Sequence, residues 1–451
     1  MNKRLLVSTS GIRGIVGSGL NPVLASKYAA AYGTAIKKGK VVVGRDSRIS
    51  GELYRHAIIA SLLSVGIDVV DIGIVPTPTV EIAIVGLKAA GGVCITASHN
   101  PSEWNALKFL NKRGEFVDRV FLEKIKRIFA AQKFAFKGHQ ALGSVSADDS
   151  WVEQHVRQTV NLPVINRRAV KRARLRVVVD AINGAGSVAL PMLLECLGVK
   201  VFRINCQGNG DFVHRPEPVA GNLTMLGAAV KKHRADFGMA CDPDADRLAL
   251  VDETGRAIGE ELTLALAVKY ILSRRRGRVV VNLSTSRVIE DVASEIGVKT
   301  YYTPVGEASV IAGMRKHKAV IGGEGNGGVI YPAFHAGRDA LVGAAIIVSL
   351  LAESKKSVSD LVGTLPTYYT IKQKAPLPDR FERKVRKMEK AAVKSFEGLQ
   401  IDRRDGLRFD FSRGWFQVRK SNTEPVYRLI VETDSQKLSR LIINEIAAQL
   451  K

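Results

Sequence analysis

Short runs of β-branched residues alternate along this chain with stretches whose apolar positions recur every three to four residues. Lys40–Val43 (KVVV) reads as a strand. The polar loop GRDSRISG follows, then Glu52–Val65 (ELYRHAIIASLLSV) with helical spacing, then Asp68–Ile72 (DVVDI) as the next strand. That order predicts a βαβ unit. The pattern recurs. RVVVD at 176–180 leads through AINGAG into a helical stretch ending near Leu197, then VKVFRIN. RVVVNL at 278–283 leads through STS into VIEDVASEIG, then VKTYYT. Three units of one build predict three similar mixed α/β domains, without repetition at a fixed period.

The chain changes character near residue 367. A Pro-punctuated segment, KAPLPD, precedes a charged amphipathic helix, FERKVRKMEKAAVKSF. Two strand-like runs, GWFQVR and VYRLIVE, flank the turn KSNTEP, and an amphipathic helix closes the chain. This predicts a smaller α+β domain. At ~150 residues per domain, 451 residues suggest roughly three domains. The C-terminal change raises the expectation to four: 1–150, 151–252, 253–366 and 367–451.

Composition narrows the class. Hydrophobic residues at 46% and charged residues at 24% are globular values. The four cysteines form no C-x-x-C pair, which excludes a disulfide scaffold or a Cys-rich zinc module. Cys94 and Cys241 read as small core residues on strands. The N-terminal apolar stretch is too short for a secretory signal, and the run LVGAAIIVSLLA at 341–352 is too short to span a bilayer. The expectation is a cytoplasmic protein with no membrane partner. The net charge of +24 raises nucleic acid as a partner. Without a binding module, and with aromatics at 6%, that partner is not expected.

Four stretches carry candidate chemistry. Thr96-Ala97-Ser98-His99-Asn100-Pro101 follows the apolar run GGVCI, which places Ser98 at a strand end, where α/β ligands bind. Ser98 is either a nucleophile or phosphate carrier, or part of a capped turn. In Asp242-Pro243-Asp244-Ala245-Asp246-Arg247, carboxylates at i, i+2 and i+4 share one face only in extended or looped backbone. Three hard oxygen ligands suit Mg²⁺. An EF-hand is excluded because Arg247 stands where its sharp turn needs glycine, and FGMA and LALV read as strands. Gly322-Gly323-Glu324-Gly325-Asn326-Gly327-Gly328 is either a close-approach ligand loop, with Glu324 and Asn326 facing sugar hydroxyls, or a glycine-rich hairpin. Arg419-Lys420-Ser421-Asn422-Thr423-Glu424-Pro425 is either a phosphate cradle or a polar hairpin turn. Two basic loops accompany them: Ser10-Gly11-Ile12-Arg13-Gly14, and Gly44-Arg45-Asp46-Ser47-Arg48, where Asp46 is expected to pair with a neighbouring arginine.

In this order, these pieces resemble the α-D-phosphohexomutase family, which includes phosphoglucomutase/phosphomannomutase and phosphoglucosamine mutase. SGIRG, TASHNP, DPDADR, GEGNGG and RKSNTEP look like its successive motifs, and the resemblance spans essentially the whole chain. It implies four domains around one cleft. It implies a phosphoryl group on Ser98, and Mg²⁺ held by Ser98, Asp242, Asp244 and Asp246. It places Arg13, His99, Lys108 and Arg247 around the transferring group. It gives the sugar to Glu324 and Asn326, and the distal phosphate to Arg419, Ser421, Asn422 and Thr423. The implied reaction interconverts hexose 1- and 6-phosphates of glucose or mannose through a hexose 1,6-bisphosphate, with sugar phosphates as the small-molecule partners. Phosphoglucosamine mutase is the alternative, and a serine phosphatase with the same serine and metal is a competing reading. Asn326-Gly327-Gly328 departs from the Ser-Gly-His of many members and resembles archaeal-type ones. That histidine is absent, so Lys108, His99, Glu307 and His335 are the acid/base candidates.

Overall fold

The computed structural model describes residues 5–396, 398–421 and 426–450. These residues form four sheets. The first is built on Lys40–Arg45, Asp68–Ile74, Gly91–Ile95 and Trp104–Asn111, the second on Arg176–Asp180, Lys200–Ile204, Phe237–Cys241 and Leu248–Val251. The third is built on Val279–Asn282, Thr300–Thr303, Ile321–Glu324 and Gly328–Ile330. Within each set the second and third strands flank the first in parallel, and the fourth pairs antiparallel with the third. The same four-strand topology therefore occurs three times. The first sheet is widened to seven strands by Val145–Ala147 on one edge and by Gly11–Ile15 and Leu6–Ser8 on the other. The central strands are Val-rich because helices cover both faces. Val177, Val178 and Val179 are fully buried, as are Val279, Val280 and Val281.

The apolar run at 341–352 belongs to a helix, Ala340–Ser354, buried along most of its length. It packs on helices Trp151–Val160, Arg167–Ala173 and Gly186–Cys196 of the second module and on Glu260–Arg274 of the third. One continuous apolar cluster therefore joins Val179, Leu193, Leu264, Val281 and Ile346. At ~1.5–3 kcal/mol per buried large aliphatic side chain, this seam is stabilised as strongly as a domain interior.

The fourth module is an antiparallel sheet of five strands with helices Phe381–Ser395 and Gln436–Leu450 packed on it. The sequence pattern predicts two strands here, with KAPLPD only as a Pro-punctuated segment ahead of the first helix. Instead Tyr369–Pro376 is an edge strand paired along Val426–Thr433. Pro376 ends it, at a place where an edge strand tolerates a residue without an N–H. Residues Asn422 to Pro425 of the expected phosphate loop lie outside the described residues. No helix among the described residues is long and apolar enough to cross a membrane.

Candidate active site

The three repeated sheets each present one loop at the same topological point, between the third and fourth strands. These loops are 96–103, 242–247 and 325–327, and they contain Ser98, the aspartate triad and Asn326. Each includes a left-handed residue: Ser98 at φ 50°, Ala245 at φ 51° and Gly327 at φ 85°. Gly327 also has no room for a Cβ, which would overlap the carbonyl of Leu248. The loops interlock. Thr77 N–H donates to the Asp244 carbonyl (2.9 Å), Leu248 N–H to Gly327 (3.0 Å) and Ala340 N–H to Ala245 (3.2 Å).

The serine loop is held from beneath by Arg48. Its Nη1 donates to the carbonyls of Pro101 (2.6 Å) and Trp104 (3.0 Å), and its Nη2 to those of Ser98 and Asn100 (both 2.6 Å). Its Nε donates to Asp46 (3.0 Å), confirming the expected ion pair. Asp46 also accepts from Thr96 Oγ1 (2.6 Å), which in turn accepts from the Ser98 N–H (2.9 Å). Ser98 Oγ donates to Asp242 Oδ2 at 2.8 Å and lies 3.4 Å from His99 Nδ1. Burial, then Arg247 and Arg13, push His99 well below its usual pKa and hold it neutral.

Asp242, Asp244 and Asp246 are buried and offer ligand oxygens within 4.8 Å of one another. The Asp244 and Asp246 Oδ1 atoms are buried without a hydrogen-bond partner among the described residues. Burial, followed by Asp246 and Asp244, pushes Asp242 well above the carboxylate range. Crowded, orphaned carboxylate oxygens are the donor set a hard divalent cation satisfies, so these residues fit Mg²⁺. Lys108 Nζ (2.6 Å) and Thr77 Oγ1 (2.7 Å) both donate to Asp244 Oδ2. Burial alone would raise Asp244, but Lys108 and Thr77 hold it below its usual value. Arg13 donates to Asn100 Oδ1 (2.6 Å), and burial, aided by Arg247 and Arg48 against Asp244, lowers it to about 10. Buried cations that depress one another mark a place for an anion.

Glu324 accepts from Asn282 Nδ2 (2.8 Å), Gly306 N–H (3.0 Å) and Arg338 Nη1 (2.9 Å). Asn326 is half-buried, in the tight hairpin that followed from its glycines. Glu307 and His335 lie away from Ser98's own contacts. Glu307 accepts from Arg338, and His335 sits between Asp339 (2.9 Å) and Glu81 (3.3 Å). Arg419 is buried on the strand Gly414–Lys420, its Nε without a partner among the described residues. Ser421 N–H donates to the Val426 carbonyl (2.8 Å). Asn422 and Thr423 lie outside the described residues. The fourth module docks on the third through polar contacts, including Arg408 to the Leu283 carbonyl (2.7 Å) and Ser284 to Gln417 (2.6 Å).

Sequence reasoning missed Thr77 and Arg338, and it read Arg48 only as half of an ion pair. The one signal for Arg338 is a charged pair, Arg338-Asp339, directly before the longest apolar run.

Family models of the phosphoglucomutase/phosphomannomutase α/β/α domains I, II and III match residues 4–136, 152–255 and 260–369. The model of the C-terminal domain matches 382–449. A phosphoglucomutase/phosphomannomutase of Thermococcus kodakarensis is 39% identical over 96% of both chains. A probable phosphoglucosamine mutase of Methanopyrus kandleri is 36% identical over 97% of this chain and 96% of its own. A phosphoglucomutase/phosphomannomutase family protein from Burkholderia thailandensis superposes with a TM-score of 0.85 at 27% identity, covering 99% and 98% of the two chains. These matches and the fold define a phosphomutase, an isomerase. The chain belongs to the phosphoglucomutase/phosphomannomutase family of α-D-phosphohexomutases.

Proposed function

We propose that this cleft interconverts the 1- and 6-phosphates of glucose or mannose through a phosphoserine at Ser98. The observation that carries the reading is the hydrogen bond from Ser98 Oγ to Asp242, inside a buried carboxylate triad flanked by Lys108 and Arg247. Ser98, Asp242, Asp244 and Asp246 would hold Mg²⁺, which when bound supplies positive charge to the phosphoryl oxygens. In the forward step the bond between phosphorus and Ser98 Oγ breaks as a bond from a sugar hydroxyl to phosphorus forms. The hydroxyl proton passes to a base of the cleft, and the product is a hexose 1,6-bisphosphate. After the sugar turns around, its other phosphate returns to Ser98 and the proton is given back to the freed hydroxyl. Arg13, His99 and Lys108 surround the transferring group. Positioning and charge are most of what phosphoryl transfer needs.

Glu324 and Asn326 hold the sugar hydroxyls in this proposal. Arg419, Ser421, Asn422 and Thr423 hold the phosphate that does not react. A second phosphate site distinguishes a mutase from a hydrolase. The module divisions at 150, 252 and 366 belong to the same reading. They fall between elements ending at Ala147, Val251 and Val362 and elements beginning at Trp151, Glu260 and Tyr369.

The test supplies glucose, mannose and glucosamine 1-phosphates with Mg²⁺ and catalytic hexose 1,6-bisphosphate. The wild-type protein is expected to form the 6-phosphate, and Ser98→Ala to form none. Equal rates for the two, or release of inorganic phosphate faster than isomer, would overturn the reading. The Methanopyrus relative named a probable phosphoglucosamine mutase favours glucosamine phosphate as a second reading, which kcat/KM across the panel decides.

A further inference from the structure

The loop ahead of the central helix places one guanidinium among three carboxylates. Arg338 Nη2 donates to Asp246 (2.6 Å), Nη1 to Glu324 (2.9 Å) and Nε to Glu307 (3.1 Å). All three partners are buried, and Arg338 is 8% exposed. The carboxylates come from three separate connections: the 242–247 loop, the end of the strand Ile321–Glu324, and the start of the helix Glu307–His317. The backbone of residue 338 is itself fixed. It bridges Ile330, its N–H donates to Glu307 (3.1 Å), and the next N–H donates to Val329 (2.9 Å).

The neighbouring strand is shaped to this side chain. A Cβ at Gly328 would overlap Arg338 Cδ and lie 3.0 Å from its Cγ. The stem of Arg338 thus occupies the volume that a side chain at 328 would fill. The guanidinium also partitions Asp246. It takes Oδ2, while Oδ1 is buried with no hydrogen bond among the described residues and lies 3.7 Å from Arg247 Nε.

We infer that Arg338 is a positioning residue: its planar fork fixes the metal loop and the sugar loop at one mutual distance, and Gly328 leaves it the room to do so. The inference rests on the phosphomutase reading. Lysine cannot substitute fully, because a single ammonium does not span three carboxylates in fixed directions.

The experiment uses the full chain and four variants: Arg338→Met, Arg338→Lys, Gly328→Ala and the double variant Gly328→Ala/Arg338→Met. Three quantities are read: kcat/KM for the sugar phosphate that the wild type isomerises, binding of Mn²⁺ by electron paramagnetic resonance, and Tm. Arg338→Met is expected to lower kcat/KM on the order of 10²-fold, the usual cost of misplacing reacting groups by about an ångström. Arg338→Lys is expected to recover part of that loss. Mn²⁺ is expected to bind more tightly to Arg338→Met, because the ion then neutralises carboxylate charge that the guanidinium neutralised before. Gly328→Ala removes no charge. It is expected to reproduce both effects by displacing Arg338, and the double variant to be no worse than Arg338→Met alone.

A purely structural ion pair would lower Tm while leaving Mn²⁺ binding and kcat/KM, measured well below Tm, within about twofold of wild type. That result overturns the inference. Weaker Mn²⁺ binding in both single variants overturns it as well. If Arg338→Met does not fold, Gly328→Ala decides on the same two readouts. Failure of the wild type to isomerise any sugar phosphate refutes the phosphomutase reading instead, and the Mn²⁺ comparison still reports on Arg338.

Discussion

Replacing Arg48 by methionine should be among the most damaging changes outside the reacting groups. Arg48 is 1% exposed and Asp46 is fully buried, so the substitution leaves a buried carboxylate without its cation. Breaking such a pair from one side costs about 3–5 kcal/mol. The Ser98 carbonyl is buried and loses its donor, adding about 1–3 kcal/mol, whereas the carbonyls of Asn100, Pro101 and Trp104 lie nearer the surface and can rehydrate. Asp46 limits the total by taking up a proton. Burial already raises it against the pull of Arg48, and without Arg48 it rises further. A folded-state carboxyl pKa above the unfolded value means that the native state binds the extra proton, so stability falls as pH rises. Arg48→Met should therefore lower the thermal midpoint more at pH 8 than at pH 5.5. Its kcat/KM should drop about 10²-fold even when the protein is folded, because the serine loop loses its support. Calorimetry across pH, paired with the isomerase assay at 25 °C, measures both. A Tm within 2 °C of wild type at pH 8, or full activity, would refute the argument that Arg48 holds the loop.

Two further outcomes follow from other parts of the molecule. Burial lowers His335, but Asp339 and Glu81 outweigh it and bring its pKa to about 10, while burial raises Glu81 to about 8. Stability from protonated His335 is full below the unfolded histidine value of ~6.5 and is lost as pH rises through about 10. Raised Glu81 acts in the same direction, so Tm should fall between pH 7 and 10, and Glu81→Gln should flatten that slope in a calorimetric series. Arg287 donates from its guanidinium to the carbonyls of Phe411 (3.0 Å) and Gly414 (2.9 Å). Arg287→Ala should loosen the fourth module, raise KM several-fold with little change in kcat, and speed proteolysis near residues 363–368. An unchanged KM and cleavage pattern would show that other contacts carry the docking.

Much of this was legible from periodicity and spacing. Val-rich runs ahead of helical patterns marked the parallel strands, because a strand covered on both faces has no polar alternation to hide it. The aspartates at alternate positions announced a loop, since a helix would have splayed them. What stayed hidden depends on distance in space. Thr77 reaches Asp244 across 167 positions of chain, and Arg338 meets Asp246 across 92. No local pattern encodes either contact. Gln400–Asp402 escaped because three residues in a charged stretch establish no period, whereas Leu407–Phe411 alternates strictly as LRFDF and was legible as a strand. The edge strand at 369–376 escaped because it is mostly exposed.

The helix Ala340–Ser354 belongs to two modules at once, and this limits how such a protein can diversify. Its apolar surface is shared between the second and third sheets, so a recombination event near residue 255 would ask one lineage's helix to repack against another lineage's surface. The polar junction between the third and fourth modules imposes no such demand. The unit that must be inherited whole on this architecture is therefore the fused central pair, while the C-terminal module, joined through polar contacts, is the part open to exchange.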